Sequence, residues 1–261
     1  MSEPNAVLLE AVWELAELTG QVAMRYFQRA IEVEFKADGS EVTLADREAE
    51  RTAREWIGRR FPNDGIVGEE FGASAAGGAR RWFIDPIDGT RSFVRGVPLW
   101  GSMVAVAEGE VVLAGAIACP AAGELVAAAV GEGCWHNDAR ATVSSVSSLE
   151  RATILTTDQR FRHHPARAAR WQALATQVGV ARTWGDCYGY VLVATGRAEL
   201  MVDDRLSPWD AAPLVPIIGE AGGVLSDWRD QRGIIGTDAI ASNARLADVF
   251  RRALAVPESP S

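Results

Sequence analysis

Between about residues 82 and 130 the chain holds four apolar runs in succession: RWFIDPI, GSMVAVAEG, VVLAGAIAC and ELVAAAVG. Each has the length of a strand and ends on a turn signal, so this stretch predicts a sheet with too little polar surface to face water. The flanking segments supply its cover. Residues 6–30 carry Val7, Leu8, Ala11, Leu15, Leu18 and Val22 at helical spacing, and a second helix is predicted from Leu44 to Arg60, stopped before Pro62. Between them IEVEFKADGSEVT alternates around Asp38-Gly39, a hairpin signal. After residue 150 helices are predicted near 165–178, 187–196, 209–221 and 244–254, alternating with strands. This order predicts a layered α/β fold with helices on both faces of the sheets. The 261 residues are read as one domain, with a strand-rich half over 1–150 and an alternating half over 151–255 that share one cleft. GASAAGGA at 72–79 reads as a surface loop and the closing PESPS as a frayed tail.

Composition removes several function classes. With 26 basic against 35 acidic residues the formal net charge is −9, which disfavours a nucleic-acid partner. No apolar run reaches the roughly 18 residues of a membrane span, and the start lacks a basic n-region and cleavage site, so no membrane partner and a cytoplasmic location are expected. Cys119, Cys134 and Cys187 have no CxxC spacing and read as buried small hydrophobes.

The segment WFIDPIDGTRSF, residues 82–93, sets Asp85 and Asp88 at the end of an apolar strand. Further acids recur at element ends: Glu69 and Glu70 in IVGEEF, Asp46 in VTLAD, Asp210 in RLSPWDAA. Asp46 after Thr43, and Asp210 after Ser207-Pro208, also fit helix caps, and an acid in a first turn is stabilised by the helix dipole. Glu69 and Glu70 also fit ordinary loop charges. A converging set is a different matter, because two carboxylates about 4 Å apart repel by roughly 4 kcal/mol at an effective dielectric near 20. Cations or protons must offset that. Oxygen ligands with no His or Cys nearby favour Mg²⁺ over zinc. Pro86 turns the chain at the strand end so that the Ile87 carbonyl can face with the carboxylates, while Gly89 allows close backbone approach. The amides of Gly89 and Thr90 at a helix start form an anion site. Carboxylates for metal beside amides for phosphate predict a metal-dependent phosphate-ester site.

GEEF, WFIDPIDGT and SPWDAAPLVPIIGEAGG resemble, in this order and over essentially the whole chain, the inositol monophosphatase-like Mg²⁺-dependent phosphatases. The resemblance implies a layered αβαβα sandwich and a homodimer. It implies a first Mg²⁺ on Glu69, Asp85 and the Ile87 carbonyl, and a second on Asp85, Asp88 and Asp210. Glu69 would help hold a third through water, giving two or three ions per site. It also implies that Thr90, hydrogen-bonded to Asp46, orients the attacking water, with Lys36 at the edge of the metal cluster and Glu69 holding the water that attacks phosphorus.

The substrate reading rests on departures within that pattern. The inositol-type pattern has Asn two positions after the Thr of DGT, whereas this chain continues Arg91-Ser92-Phe93. RTWGDCYGYVLVATGRAELMVDDRLSPWDAA resembles the histidinol-phosphate phosphatase branch, where Gly-Asp precedes an aromatic. A substrate carrying an amine and an imidazole calls for carboxylates beyond the metal ligands, which Asp186 and Asp203 would supply. Trp184 and Tyr188 would stack on the imidazole, or else pack as ordinary core. The stretch QRFRHHPARAAR, 159–170, reads as a solvated helix face or as a basic patch that attracts phosphate or a second chain, and His136 as a turn residue. The competing functions are a histidinol-phosphate phosphatase, a broader inositol, sugar or nucleotide phosphatase, and a non-catalytic accessory factor of an RNA-containing complex.

Overall fold

The computed structural model describes residues 4–36, 39–74, 77–231 and 237–255. In chain order its elements begin with α1 (Asn5–Met24), β1 (Val33–Phe35), β2 (Glu41–Thr43), α2 (Leu44–Arg60), β3 (Gly65–Gly68), β4 (Gly72–Ser74), β5 (Arg80–Asp88) and α3 (Thr90–Val94). There follow β6 (Gly101–Glu108), β7 (Val111–Cys119), β8 (Glu124–Ala129), β9 (Gly133–His136), β10 (Ala139–Arg140), β11 (Thr153–Thr156), α4 (Pro165–Ala175) and β12 (Val180–Arg182). The chain closes with α5 (Asp186–Ala194), β13 (Leu200–Asp203), α6 (Pro208–Glu220), β14 (Gly223–Ser226), β15 (Ala239–Asn243) and α7 (Ala247–Leu254).

Among the described residues three sheets form. β1 and β2 pair alone, an eight-stranded sheet runs β10-β9-β8-β7-β6-β5-β3-β4, and a five-stranded sheet runs β12-β11-β13-β15-β14. Side-chain alternation along the strands divides the cover. Trp82 and Ile84 of β5, Val104 and Val106 of β6, and Ala114 and Ala116 of β7 pack against α1 and α2. The opposite face, with Met103, Ile117 and Val126, meets Tyr190 and Val191 of α5 and Leu214 and Ile217 of α6. Met201 and Ala241 of the smaller sheet lie in the same cluster, so α5 and α6 are sandwiched between the two sheets. Ile154, Leu200 and Val202 on the far side pack on Trp171 of α4 and Phe250 of α7. The order is therefore helix, sheet, helix, sheet, helix, the layering expected from the sequence.

α6 is apolar around its whole circumference, which suits its place between sheets, and it contains Pro213 and Pro216. Gly115 of β7 allows its approach: a Cβ there would lie 2.7 Å from Pro213 Cα.

Some expectations shift. The first helix ends at Met24, short of residue 30. Gly72–Ser74, read as loop, pairs antiparallel with β3 as an edge strand, and residues 75 and 76 of that stretch lie outside the described residues. The hairpin pairs Val33 with Thr43; Gly39 takes φ 80°, while Asp38 lies outside the described residues, as does PESPS. The three cysteines are buried and free, as expected.

Candidate metal and phosphate site

The decisive local feature is an irregularity in β5. Asp85 stands opposite Met103 of β6 and Asp88 opposite Gly101, so three steps on one strand match two on the other. Residues three apart on a regular strand face opposite ways; the extra residue of this bulge returns Asp88 to the side of Asp85. Ser102 Oγ donates to the Pro86 carbonyl at 2.7 Å, satisfying backbone that the bulge removes from the ladder. Ile87 is turned into a separate cluster with Phe93 and Trp100.

Asp85 is buried, and its Oδ1 accepts the Ile87 N–H at 2.9 Å. Asp88 Oδ2 accepts the backbone N–H of Cys187 in the first turn of α5. Asp210 lies in the first turn of α6, where its Oδ2 accepts the Ser207 N–H at 2.8 Å. One ligand oxygen from each of Asp85, Asp88 and Asp210 lies within 4.8 Å of the others. Burial, then neighbouring carboxylates, raise all three: Asp85 well above its ordinary value, Asp88 to about 8 and Asp210 to about 7. Asp210 Oδ1 is buried and has no hydrogen-bond partner among the described residues. An orphaned carboxylate oxygen beside two more carboxylates fits a hard divalent cation.

Glu69 follows β3, its N–H donating to the Ile84 carbonyl at 3.2 Å. It is not one of the three clustered carboxylates, but its charge raises both Asp85 and Asp210. Lys36 Nζ bridges Glu69 at 2.7 Å and Glu70 at 2.6 Å. Burial opposes the Lys36 charge, yet the two carboxylates raise it above the usual ammonium range. Glu70 is pushed up to about 7, chiefly by burial.

Glu50, which sequence reasoning missed, organises this turn. It is wholly buried, and its Oε2 accepts the Glu70 N–H at 2.6 Å, while Oε1 takes Arg54 Nε at 2.7 Å. Gly68 has no Cβ to collide with it; one would sit 2.1 Å from Glu50 Oε1. Its only sequence signal is an acid on the buried face of α2.

The expected hydrogen bond between Thr90 and Asp46 is not formed. Thr90 Oγ1 donates to the Ile87 carbonyl at 2.9 Å. Asp46 Oδ2 instead accepts from Thr43 N at 2.8 Å and Thr43 Oγ1 at 2.6 Å, so the capping role prevails. Burial lifts Asp46 to about 6. Gly89 takes φ 83° and opens α3, so the chain turns sharply there.

Two adjoining cavities, of about 620 and 780 Å³, share Ser40, Glu69, Arg91, Thr157, Asp158 and Asp186, and the larger reaches Asp88 and Asp210. Asp186 overhangs the Gly89 turn: its Oδ2 is 3.1 Å from where a Cβ on Gly89 would be. Burial, then Asp88, raise it to about 8. Asp203 lines the larger cavity but is already engaged, accepting from Tyr190 Oη at 2.8 Å and Thr157 N at 3.3 Å, and burial raises it to about 7. Neither expected aromatic lines these cavities. Trp184 is 43% exposed. Tyr188 donates to Glu124 Oε1 at 2.9 Å, because two residues along α5 from Asp186 is about 200° around the helix. The basic stretch divides: Arg160 and Arg162 line the cleft ahead of α4, and α4 itself begins at Pro165.

The chain is similar to known proteins over most of its length. The chain is 43% identical over 235 residues to a histidinol-phosphatase of Chlorobaculum parvum, covering 90% of this chain and 91% of that one. It is 35% identical over 253 residues to a histidinol-phosphatase of Mycobacterium tuberculosis, covering 95% and 96%. The crystal structure of the extragenic suppressor protein suhB from Bartonella henselae superposes with a TM-score of 0.90 at 27% identity, covering 95% and 98%. The model of the inositol monophosphatase family matches residues 5–255, and the chain belongs to that family.

Proposed function

We propose that the protein hydrolyses L-histidinol phosphate to L-histidinol and inorganic phosphate, one water adding to phosphorus as the alcohol departs. The observation that carries the chemistry is the clustered trio of buried Asp85 with half-buried Asp88 and Asp210, and its buried Asp210 oxygen without a hydrogen bond among the described residues, set beside the Gly89-Thr90 turn. Two or three Mg²⁺ ions would be held by Glu69, Asp85, Asp88, Asp210 and the Ile87 carbonyl. Mg²⁺ bound there supplies charge for the phosphoryl oxygens and the departing alkoxide, and lowers the pKa of bound water.

The remaining work belongs to the chain. The backbone of Gly89 and Thr90 faces the phosphate, and Asp85 and Asp88, fixed by hydrogen bonds before substrate arrives, need no rearrangement. Thr90 and Glu69 orient the attacking water, and Lys36 holds Glu69 at the edge of the cluster. Asp186, over the phosphate loop, takes the substrate ammonium group through a charge-assisted hydrogen bond. The likeness to proteins named histidinol-phosphatase over nine-tenths of the chain supports the choice of substrate.

Phosphate release is measured from L-histidinol phosphate, inositol 1-phosphate and adenosine bisphosphate, with Mg²⁺ and after its removal. The proposal expects the highest kcat/KM for L-histidinol phosphate and no turnover without metal. A preference for either other ester would remove the substrate assignment, and metal-independent turnover would remove the mechanism.

A further inference from the structure

Asp186 stands in an unusual backbone state. Its φ is 51°, in the left-handed region that residues other than glycine seldom occupy, and it is the first residue of α5. The backbone N–H of a first helical residue lacks a partner within the helix and must find one elsewhere. The residue in the cap position is Gly185, which has no side chain to offer.

The partner comes from another element. Thr157, immediately after β11, accepts the Asp186 N–H on Oγ1 at 2.8 Å. A Cβ on Gly185 would lie 2.3 Å from Thr157 Cα and 2.6 Å from Thr157 Oγ1, so the bare glycine is what lets Thr157 approach. Thr157 is itself anchored, since its N–H donates at 3.3 Å to Asp203 Oδ1, and Asp203 Oδ2 accepts Tyr190 Oη at 2.8 Å. Thr157 lines both cavities.

The geometry points to Thr157 as the positioning residue for Asp186: a helix cap supplied from outside the helix, which aims the Asp186 carboxylate over Gly89 and so sets selectivity for an amine-bearing phosphate ester. This rests on the reading of Asp186 given above. The β11–α5 contact thereby governs which alcohol the site accepts, while the phosphoryl chemistry is held by β5 and α6.

The test is the ratio of kcat/KM for L-histidinol phosphate to that for para-nitrophenyl phosphate, which has no amine. Taken on one preparation, the ratio is independent of the fraction of protein folded. Thr157→Val keeps the shape without the acceptor and is expected to lower the ratio about tenfold, chiefly through KM for L-histidinol phosphate. Thr157→Ala should behave likewise, and Thr157→Ser, which restores the oxygen, should return the ratio to within about twofold of the parent. In an Asp186→Ala background, Thr157→Val should lower the ratio by less than about twofold further, because the two act through one carboxylate. Thr157 loses this role if Asp186→Ala lowers the ratio while Thr157→Val and Thr157→Ala do not. It also loses it if Ser is as defective as Val, or if the losses multiply. An Asp186→Ala protein with unchanged ratio would instead overturn the reading of Asp186, and the Thr157 assignment with it.

Discussion

Cys187 lies 99 residues beyond Asp88, yet its backbone N–H donates to Asp88 Oδ2. A first-turn amide of α5, at the positive end of that helix, thus faces a carboxylate on the bulge of β5. The strand that carries two of the three clustered carboxylates and the helix that carries Asp186 are fastened to one another at the site.

Asp88→Asn keeps an oxygen to accept that N–H while losing the negative charge. Outer partners of metal ligands cost about 10–100-fold when lost, so a direct ligand should cost more than roughly a hundredfold in kcat. Phosphate release and a circular-dichroism melt check this. Full activity at ordinary Mg²⁺ with a normal melt would show that Asp88 holds no essential ion.

Stability of the metal-free protein should depend on pH in a specific sense. The carboxyls of Asp88 and Asp210 are raised from 3.8 to about 8 and about 7, and that of Asp85 is raised well above it. The folded state therefore holds protons that the unfolded state releases. Their contribution is fully present below about pH 4 and is lost as pH rises through about 8. Without metal, Tm should fall from about pH 5 to about pH 8; added Mg²⁺ should raise it far more at the upper end, since it replaces protons. A Tm that climbs over this range without metal would contradict the assignment.

Gly115→Ala should act on the site from a distance. The new methyl would press on Pro213, whose Cα and carbonyl oxygen both lie 2.7 Å from the Cβ position. Displacing α6 should cost about 1–3 kcal/mol and carry Asp210 away from Asp85 and Asp88. Denaturant unfolding and the Mg²⁺ concentration at half-maximal activity would report the two effects, which are expected together.

Tyr188→Phe should leave KM for every ester in place, since the hydroxyl contacts Glu124 on the far side of α5. Loss of that hydrogen bond should lower stability by about 0.5–1.5 kcal/mol. A raised KM for L-histidinol phosphate would return Tyr188 to the cleft.

The acids were legible because apolar strands make polar exceptions conspicuous, and Asp85 and Asp88 break the apolar run that begins at Trp82. Alternation alone would have parted them, since residues three apart face opposite ways; the bulge that reunites them depends on pairing with β6, which one strand does not encode. Asp46 illustrates two roles with one sequence pattern: the capping arrangement was readable from Thr43 and is the one formed, while Thr90 bonds to the Ile87 carbonyl and not to Asp46. Tyr188 was misplaced because proximity in sequence to Asp186 means opposite sides of a helix. Glu50 and Thr157 left almost no trace, because their importance lies in backbone amides brought to them from distant segments.

The two prolines inside α6 have a bearing on how the molecule is made. Pro213 has no N–H to offer the Trp209 carbonyl and Pro216 none for Ala212, so this helix is weak by itself and leans on the strands beneath it. Its coiling should follow assembly of β5, β6 and β7, delivering Asp210 last. A nascent chain would then never crowd three anions together before the walls that retain their counter-ion exist. Pulsed hydrogen exchange, showing α6 amides protected after those of the central strands, is the order this requires.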